Sequence, residues 1–206
     1  MWLSDITLQS IGFRVLALPI IVGIQGGVVA SAAVFLGDKG PKYDGRLTIV
    51  PTSHIDFTGT ISLILFGIGW AKPVEIDAKK FCVSGIGIGI GIVATILIGS
   101  ISLLVTAIIL EQLVLTALTA LPFTAGLAVA AFLRNASSLA IWAALLSLIP
   151  IPPLTGGLLL NAFGINFSKI THWVLAAALL AVVATGTANQ LLDPVYSVLA
   201  LLVLGK

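Results

Sequence analysis

Residues 54–77 read HIDFTGTISLILFGIGWAKPVEID, and residues 150–157, PIPPLTGG, form a later counterpart. The apolar centre of the first stretch, Phe57 to Gly69, is roughly two thirds of the ~20 residues a helix needs to cross ~30 Å of hydrocarbon. His54-Ile55-Asp56 precedes it and Trp70-Ala71-Lys72-Pro73-Val74 follows, so polar and interfacial side chains bound it on both sides. A chain that leaves the bilayer on the face where it came in fits this punctuation, and the stretch reads as a re-entrant hairpin.

The surrounding sequence calls for the same solvent. Of 206 residues 59% are hydrophobic and 9% charged, with a mean hydropathy of +1.19, outside the range of soluble domains. Val, Ile, Leu and Ala come in unbroken runs rather than in alternation, which favours helices over a β-barrel. The expected class is an all-α integral membrane protein, one membrane domain over residues 1–206, with about five or six membrane segments. A scattered net charge of +2 excludes a nucleic-acid partner. Cys82 is the sole cysteine, so neither an internal disulfide nor a cysteine-rich metal cluster can form. The Ala30-Ser31-Ala32 sequence is not read as a signal cleavage site, because Arg14 is the only basic residue before it and the apolar run continues to Leu36.

Residues 1–14 are predicted as an amphipathic interfacial lead-in ended by Arg14, and Val15 to Leu36 as the first span. Gly45 to Pro51 has strand character, and Val74 to Asp77 is expected to pair with it as a small interfacial β element. From Gly85 to Leu110 the chain is apolar, opening with Gly85, Gly87, Gly89 and Gly91, whose small-x-x-x-small spacing suits close helix packing. Glu111-Gln112 is predicted as a turn, Leu113 to Leu133 as a returning span kinked at Pro122, and Arg134-Asn135 as its close. Ala136 to Ile149 then runs to Pro150, Pro152 and Pro153, which terminate a helix. Trp173 to Leu192 is the last clear span, and residues 195–206 are a short apolar tail. If residues 57–69 re-enter, Lys39, Lys42, Arg46, Lys72, Lys79, Lys80 and Arg134 share one side. The positive-inside bias then places the 37–84 region on the cytoplasmic side of a membrane, expected to be a bacterial cytoplasmic membrane.

Gly37-Asp38, Gly45-Arg46-Leu47-Thr48, Val50-Pro51, His54-Ile55-Asp56-Phe57, Gly67-Ile68-Gly69-Trp70-Ala71-Lys72-Pro73-Val74 and Pro150-Ile151-Pro152-Pro153-Leu154-Thr155-Gly156 together resemble the site-2 protease family of intramembrane zinc metalloproteases. His54, Asp56, Trp70, Lys72, Pro73, Pro150, Pro152 and Pro153 belong to its structural motifs. The resemblance implies a zinc held by two histidines of His-Glu-x-x-His and a later aspartate, with the glutamate as general base. Counted back from Gly37-Asp38 without a gap, those positions carry Gln25, Gly26 and Val29, and Thr155 stands for the aspartate. An amide, a bare backbone, an alkyl group and a hydroxyl make neither ligand set nor base, so metal ligands and catalytic glutamate are missing and no cofactor is predicted. Gln25 is expected to bond to Thr155 or nearby backbone, since an unpaired amide at mid-depth is costly. His54 is expected to serve as an interfacial hydrogen-bonding residue and His172 as an interface anchor.

The expected function is therefore that of a non-catalytic accessory or scaffold subunit of a larger membrane complex, with membrane lipids and other integral membrane subunits as partners and a structural lipid possible. The alternatives are a regulatory pseudoprotease that holds transmembrane peptides, which requires an open groove between helices, and a small transporter or lipid-binding protein.

Overall fold

A computed structural model describes residues 7–77, 79–83, 87–165 and 167–205. Gly85 and residues 1–6 of the expected lead-in lie outside them. The described residues are helical, with no strand among them, and four helices are long and apolar enough to cross a membrane.

The first, α1, is Leu8–Leu36. Thr7 and Ser10 cap it reciprocally, each hydroxyl accepting the other's backbone N–H at 3.1 and 3.0 Å. Arg14 does not end a separate lead-in: arginine is a good helix former, and the helix runs straight through it. Gly37, at φ 124°, stops the helix. Past a short α2, Gly40–Tyr43, the chain folds back along α1.

There the backbone comes in close because three residues of α1 have no side chain. A β-carbon on Gly23 would meet the Ile49 carbonyl oxygen at 2.5 Å, one on Gly27 the Thr48 carbonyl oxygen at 2.7 Å, and one on Gly26 would overlap the His54 ring. The chain then enters α3, Phe57–Phe66, whose first turn is capped by Asp56 accepting from the Gly59 N–H at 2.7 Å. Gly67, in the left-handed region at φ 74°, reverses it. The Arg14 guanidinium donates to the carbonyls of Ile64 and Leu65 at 3.1 and 2.7 Å, satisfying acceptors that the helix end leaves free.

Residues 68–77 return beside α3 without regular secondary structure. Ser62 donates to the Ile68 carbonyl at 2.6 Å, Gly59 and Gly69 touch backbone to backbone, and the Lys72 N–H reaches the His54 carbonyl at 2.8 Å. The expected β pairing of 45–51 with 74–77 does not form. Arg46 takes the Lys72 carbonyl at 2.8 Å with its guanidinium, Pro51 and Pro73 have no N–H to give, and Asp38 accepts the Asp77 N–H at 2.8 Å. Side chains satisfy the backbone that a ladder would otherwise use.

After α4, Lys79–Val83, the chain makes its longest hairpin, α5, Ile88–Ala120, and α6, Phe123–Leu148. Glu111-Gln112 is no turn and Arg134-Asn135 no terminus. Both pairs continue their helices, and Arg134 faces Glu111 at 3.8 Å across the hairpin, in α6 rather than among the loop cations of residues 37–84. Pro122, expected as a kink, sits in the connection because it lacks an N–H and fixes the start of α6. Two buried hydroxyl contacts join the pair, Ser100 to Ser147 at 2.7 Å and Ser137 to the Ala107 carbonyl at 2.9 Å.

A short 3₁₀ turn at Thr155–Gly157 and α7, Leu158–Ala162, lead to α8, Lys169–Ala184, and α9, Thr187–Leu204. The predicted Trp173–Leu192 span is thus divided at Gly186, φ 76°, and the apolar tail is part of α9, with Pro194 inside the helix. Tyr196 fastens α9 to α6, stacking on Trp142 at 4.6 Å and bonding Ser138 at 2.7 Å.

The close approach at α1 makes a direct prediction. Gly27→Ala should destabilise the protein by about 1–3 kcal/mol, because a rigid carbonyl must move. Gly12→Ala on the same helix, with nothing within 4 Å, should be neutral or stabilising by about 0.5–1 kcal/mol. Thermal unfolding of both variants in mild detergent checks the difference.

Candidate functional site

The residues singled out by the sequence meet in the middle of α1. Gln25 is 3% exposed, and its amide nitrogen donates to the Thr155 hydroxyl at 3.4 Å, a long bond. The two residues are 130 apart in sequence, so the bond closes the first part of the chain onto the turn after α6. The Gln25 carbonyl oxygen is buried without a partner. Val29 is buried against Gly99 of α5, where a β-carbon would meet the valine at 2.6 Å.

His54 is a hydrogen-bonding residue, as expected, held inside the protein. It is fully buried, with its ring in the space that Gly26 leaves open. Its Nε2 lies 2.7 Å from the Thr48 carbonyl, which can only accept, so Nε2 carries the proton and Nδ1 presents a lone pair with no partner. Burial is the main cause that pushes the imidazole below its ordinary value; the Thr48 bond acts the other way and the Arg46 charge lowers it again. The ring is therefore neutral near pH 7.

These donors do not fit zinc. The position nearest a general base is filled by an imidazole edge held against the backbone of Gly26, and the neighbouring atoms are an amide oxygen and a hydroxyl, without thiolate or carboxylate to offset a dication. Among the described residues there is no group of three or more His, Cys, Asp or Glu able to hold a metal. No step of a metal-dependent hydrolysis is derived from this arrangement.

The remaining motif residues build the frame. Asp56 caps α3, Trp70 is buried, and Pro152-Pro153 is joined by a cis peptide beneath Thr155. Pro150 follows the end of α6. Gly87 caps α5 rather than packing within it, Gly89 faces open space, and Gly91 lies against the Phe81 ring of α4. Sequence reasoning used Asp38 only as a motif landmark and missed its role: 1% exposed, it accepts from the Gly40 and Asp77 N–H groups at 2.9 and 2.8 Å and from Lys80 at 3.1 Å. Its carboxylate holds the Lys80 amine above its ordinary range. A lone acid directly after a helix-ending glycine was the available signal.

Beside this closed site lies an open cleft of about 680 Å³. It is bounded by the return segment, the start of α3, Pro153 and the first turns of α8, where Lys72, Pro73 and His172 line it.

Over 52 residues the chain is 40% identical to a Bacillus subtilis (strain 168) protein described as "Putative zinc metalloprotease YwhC". The matched stretch is 25% of this chain and 24% of that protein, so the chain spans about a quarter of the relative's length. No family model matches the chain, and no solved structure does. The partial similarity supports a site-2-protease-like relationship.

Two outcomes follow from the buried polar atoms. With its folded value depressed below ~6.5, His54 binds a proton less readily than in the unfolded chain, so stability is greatest above about pH 6.5 and falls as the pH descends from there. Unfolding in detergent between pH 7.5 and 5 should show this slope, and His54→Gln should flatten it. Gln25→Leu should cost less than about 1 kcal/mol, since it removes one long bond together with an unpartnered buried oxygen.

Proposed function

We propose that this chain is a non-catalytic, site-2-protease-like membrane protein that serves as an accessory or scaffold subunit of a larger membrane protein complex. One observation supports the reading: at the positions where the resemblance asks for two imidazoles, a carboxylate base and an aspartate stand Gln25, Gly26, Val29 and Thr155, with Gln25 bonded to Thr155, the His54 ring against Gly26 and Val29 against Gly99. The long apolar helices support an integral membrane location. The membrane is a bacterial cytoplasmic one with the 37–84 region on the cytoplasmic side, where Lys39, Lys42, Arg46, Lys72, Lys79 and Lys80 gather. α3 re-enters rather than crosses: the Gly67 turn reverses it, and the Asp77 N–H returns to Asp38 at the end of α1 where the excursion began.

The open cleft favours one second reading, a pseudoprotease that holds a transmembrane peptide without cutting it. Purification under mild detergent separates the two. The subunit reading expects stoichiometric companion chains, substoichiometric zinc and no hydrolysis of a membrane-embedded peptide. A stable chain with no companion speaks against it, and one bound zinc with peptide cleavage overturns it.

A further inference from the structure

At one height along α1 the molecule shows two kinds of surface. Contacts set the heights: Lys80 bonds Asp38 just past the end of α1, Phe81 lies against Gly91 of α5, and Val29 lies against Gly99. α5 therefore descends beside α1 from the Asp38 end. From Ile88 to Leu110 its exposed side chains are apolar, beginning with Ile90, Val93, Leu97 and Ile98. That face stands in hydrocarbon almost from the height of Asp38.

The glycine face of α1 carries a different surface. Lys39, Lys42 and Asp44 are exposed as the chain descends from Asp38, and it reaches the height of Gly27 and Gly23, about 15–20 Å down the helix. There exposed Ile49, Val50 and Phe57 are interspersed with Thr48, Thr52 and Asp56, the mixture of a chain lying at an interface. The N–H groups of Thr48, Ile49, Thr52 and Ile55 have no hydrogen-bond partner among the described residues, which is costly in hydrocarbon. Arg46 is buried on the Lys72 and Pro73 carbonyls, with the charges of Glu75 and Asp44 acting on it. Lys72 gives its N–H to the carbonyl of His54, whose ring lies on Gly26, so Lys72 and Asp56 line the cleft near the middle of α1. Ionised groups at that height need water. A protein cover would have to match each of these charges and N–H groups, whereas water and head groups meet them without a tailored partner.

We propose that one leaflet meets this chain at two heights. It stands at full thickness along α5 and falls by on the order of 15 Å beside the glycine face of α1, where phospholipid head groups and water cover residues 44–56 and enter the cleft. The apolar side chains from Ile49 to Phe57 anchor the thinned leaflet, and the charges above them lie among its head groups. The two heights follow from α1 and α5 crossing the membrane and hold whether or not the chain is a subunit.

Nitroxide labels on Thr52→Cys and Ile98→Cys, each in a Cys82→Ser full chain reconstituted in dioleoylphosphatidylcholine vesicles, test this. Both positions are exposed. Thr52 follows Pro51, which lies beside Gly23, and Ile98 precedes Gly99, which lies beside Val29, so Ile98 is the nearer to the Asp38 end. A bilayer of uniform thickness would bury the Thr52 label at least as deeply as the Ile98 label. Instead the Thr52 label should meet a water-soluble nickel chelate on the order of tenfold more often than the Ile98 label. A photoreactive group on the lipid head should cross-link to the Thr52 segment, and one at the acyl-chain end to the Ile98 segment. If Thr52→Cys does not fold, Lys72→Cys, exposed and near the same height, takes its place. Equally low chelate access at the two positions overturns the proposal. So does chelate access at Thr52 without head-group cross-linking, which makes the region a water-only crevice, or a Thr52 label open in vesicles and shielded by another protein in native membranes.

Discussion

Three glycines on one face of α1 set the distance from which everything else is built. With no side chain at positions 23, 26 and 27, residues 48–54 lie directly on the helix backbone, and His54 seats its ring against Gly26. That contact fixes where the excursion through α3 begins, and the bond from the Lys72 N–H to the His54 carbonyl fixes where it comes back. Arg14 at one end and Asp38 at the other then tie the excursion to α1. Charged side chains here do the work of a β ladder, each meeting backbone groups that would otherwise be unsatisfied.

Much of this was legible in the chain. Long apolar runs gave the class, and the pairing of Gln25 with Thr155 followed from the cost of an unbonded amide in an apolar interior. Several of the failures share one cause. Charged residues were read as boundaries, yet Arg14, Glu111 and Arg134 all lie within helices, where each finds a partner that local sequence does not reveal: carbonyls 50 residues away for Arg14, and the opposing helix for the other two. Glycine and proline would have been better punctuation, as Gly186 and Pro122 show, because their effect on the backbone is intrinsic and needs no partner. The burial of His54 needed a contact between distant segments, for which Gly23, Gly26 and Gly27 were the only local hint.

The two polar regions differ in kind. On the inner face of α1 the groups are neutral and closed off, an arrangement suited to holding helices together. The cleft is open and carries exposed charges, Lys72 and Glu75, beside the Asp56 carboxylate that caps α3. Sequence resemblance directs attention to the first, whereas the physical chemistry of exposure directs it to the second.

The length of α5 has its own consequence for the surroundings. Thirty-three residues make a rod of about 50 Å, and up to Leu110 its exposed side chains are those of a lipid-soluble surface. To lie wholly within ~30 Å of hydrocarbon it would have to lean more than about 50°, beyond the tilts that membrane helices adopt. The rod is thus longer than a flat bilayer of ordinary thickness, and its last turns from Glu111 onward, where Gln112, Thr116 and Thr119 are exposed, are the part able to stand clear of the hydrocarbon.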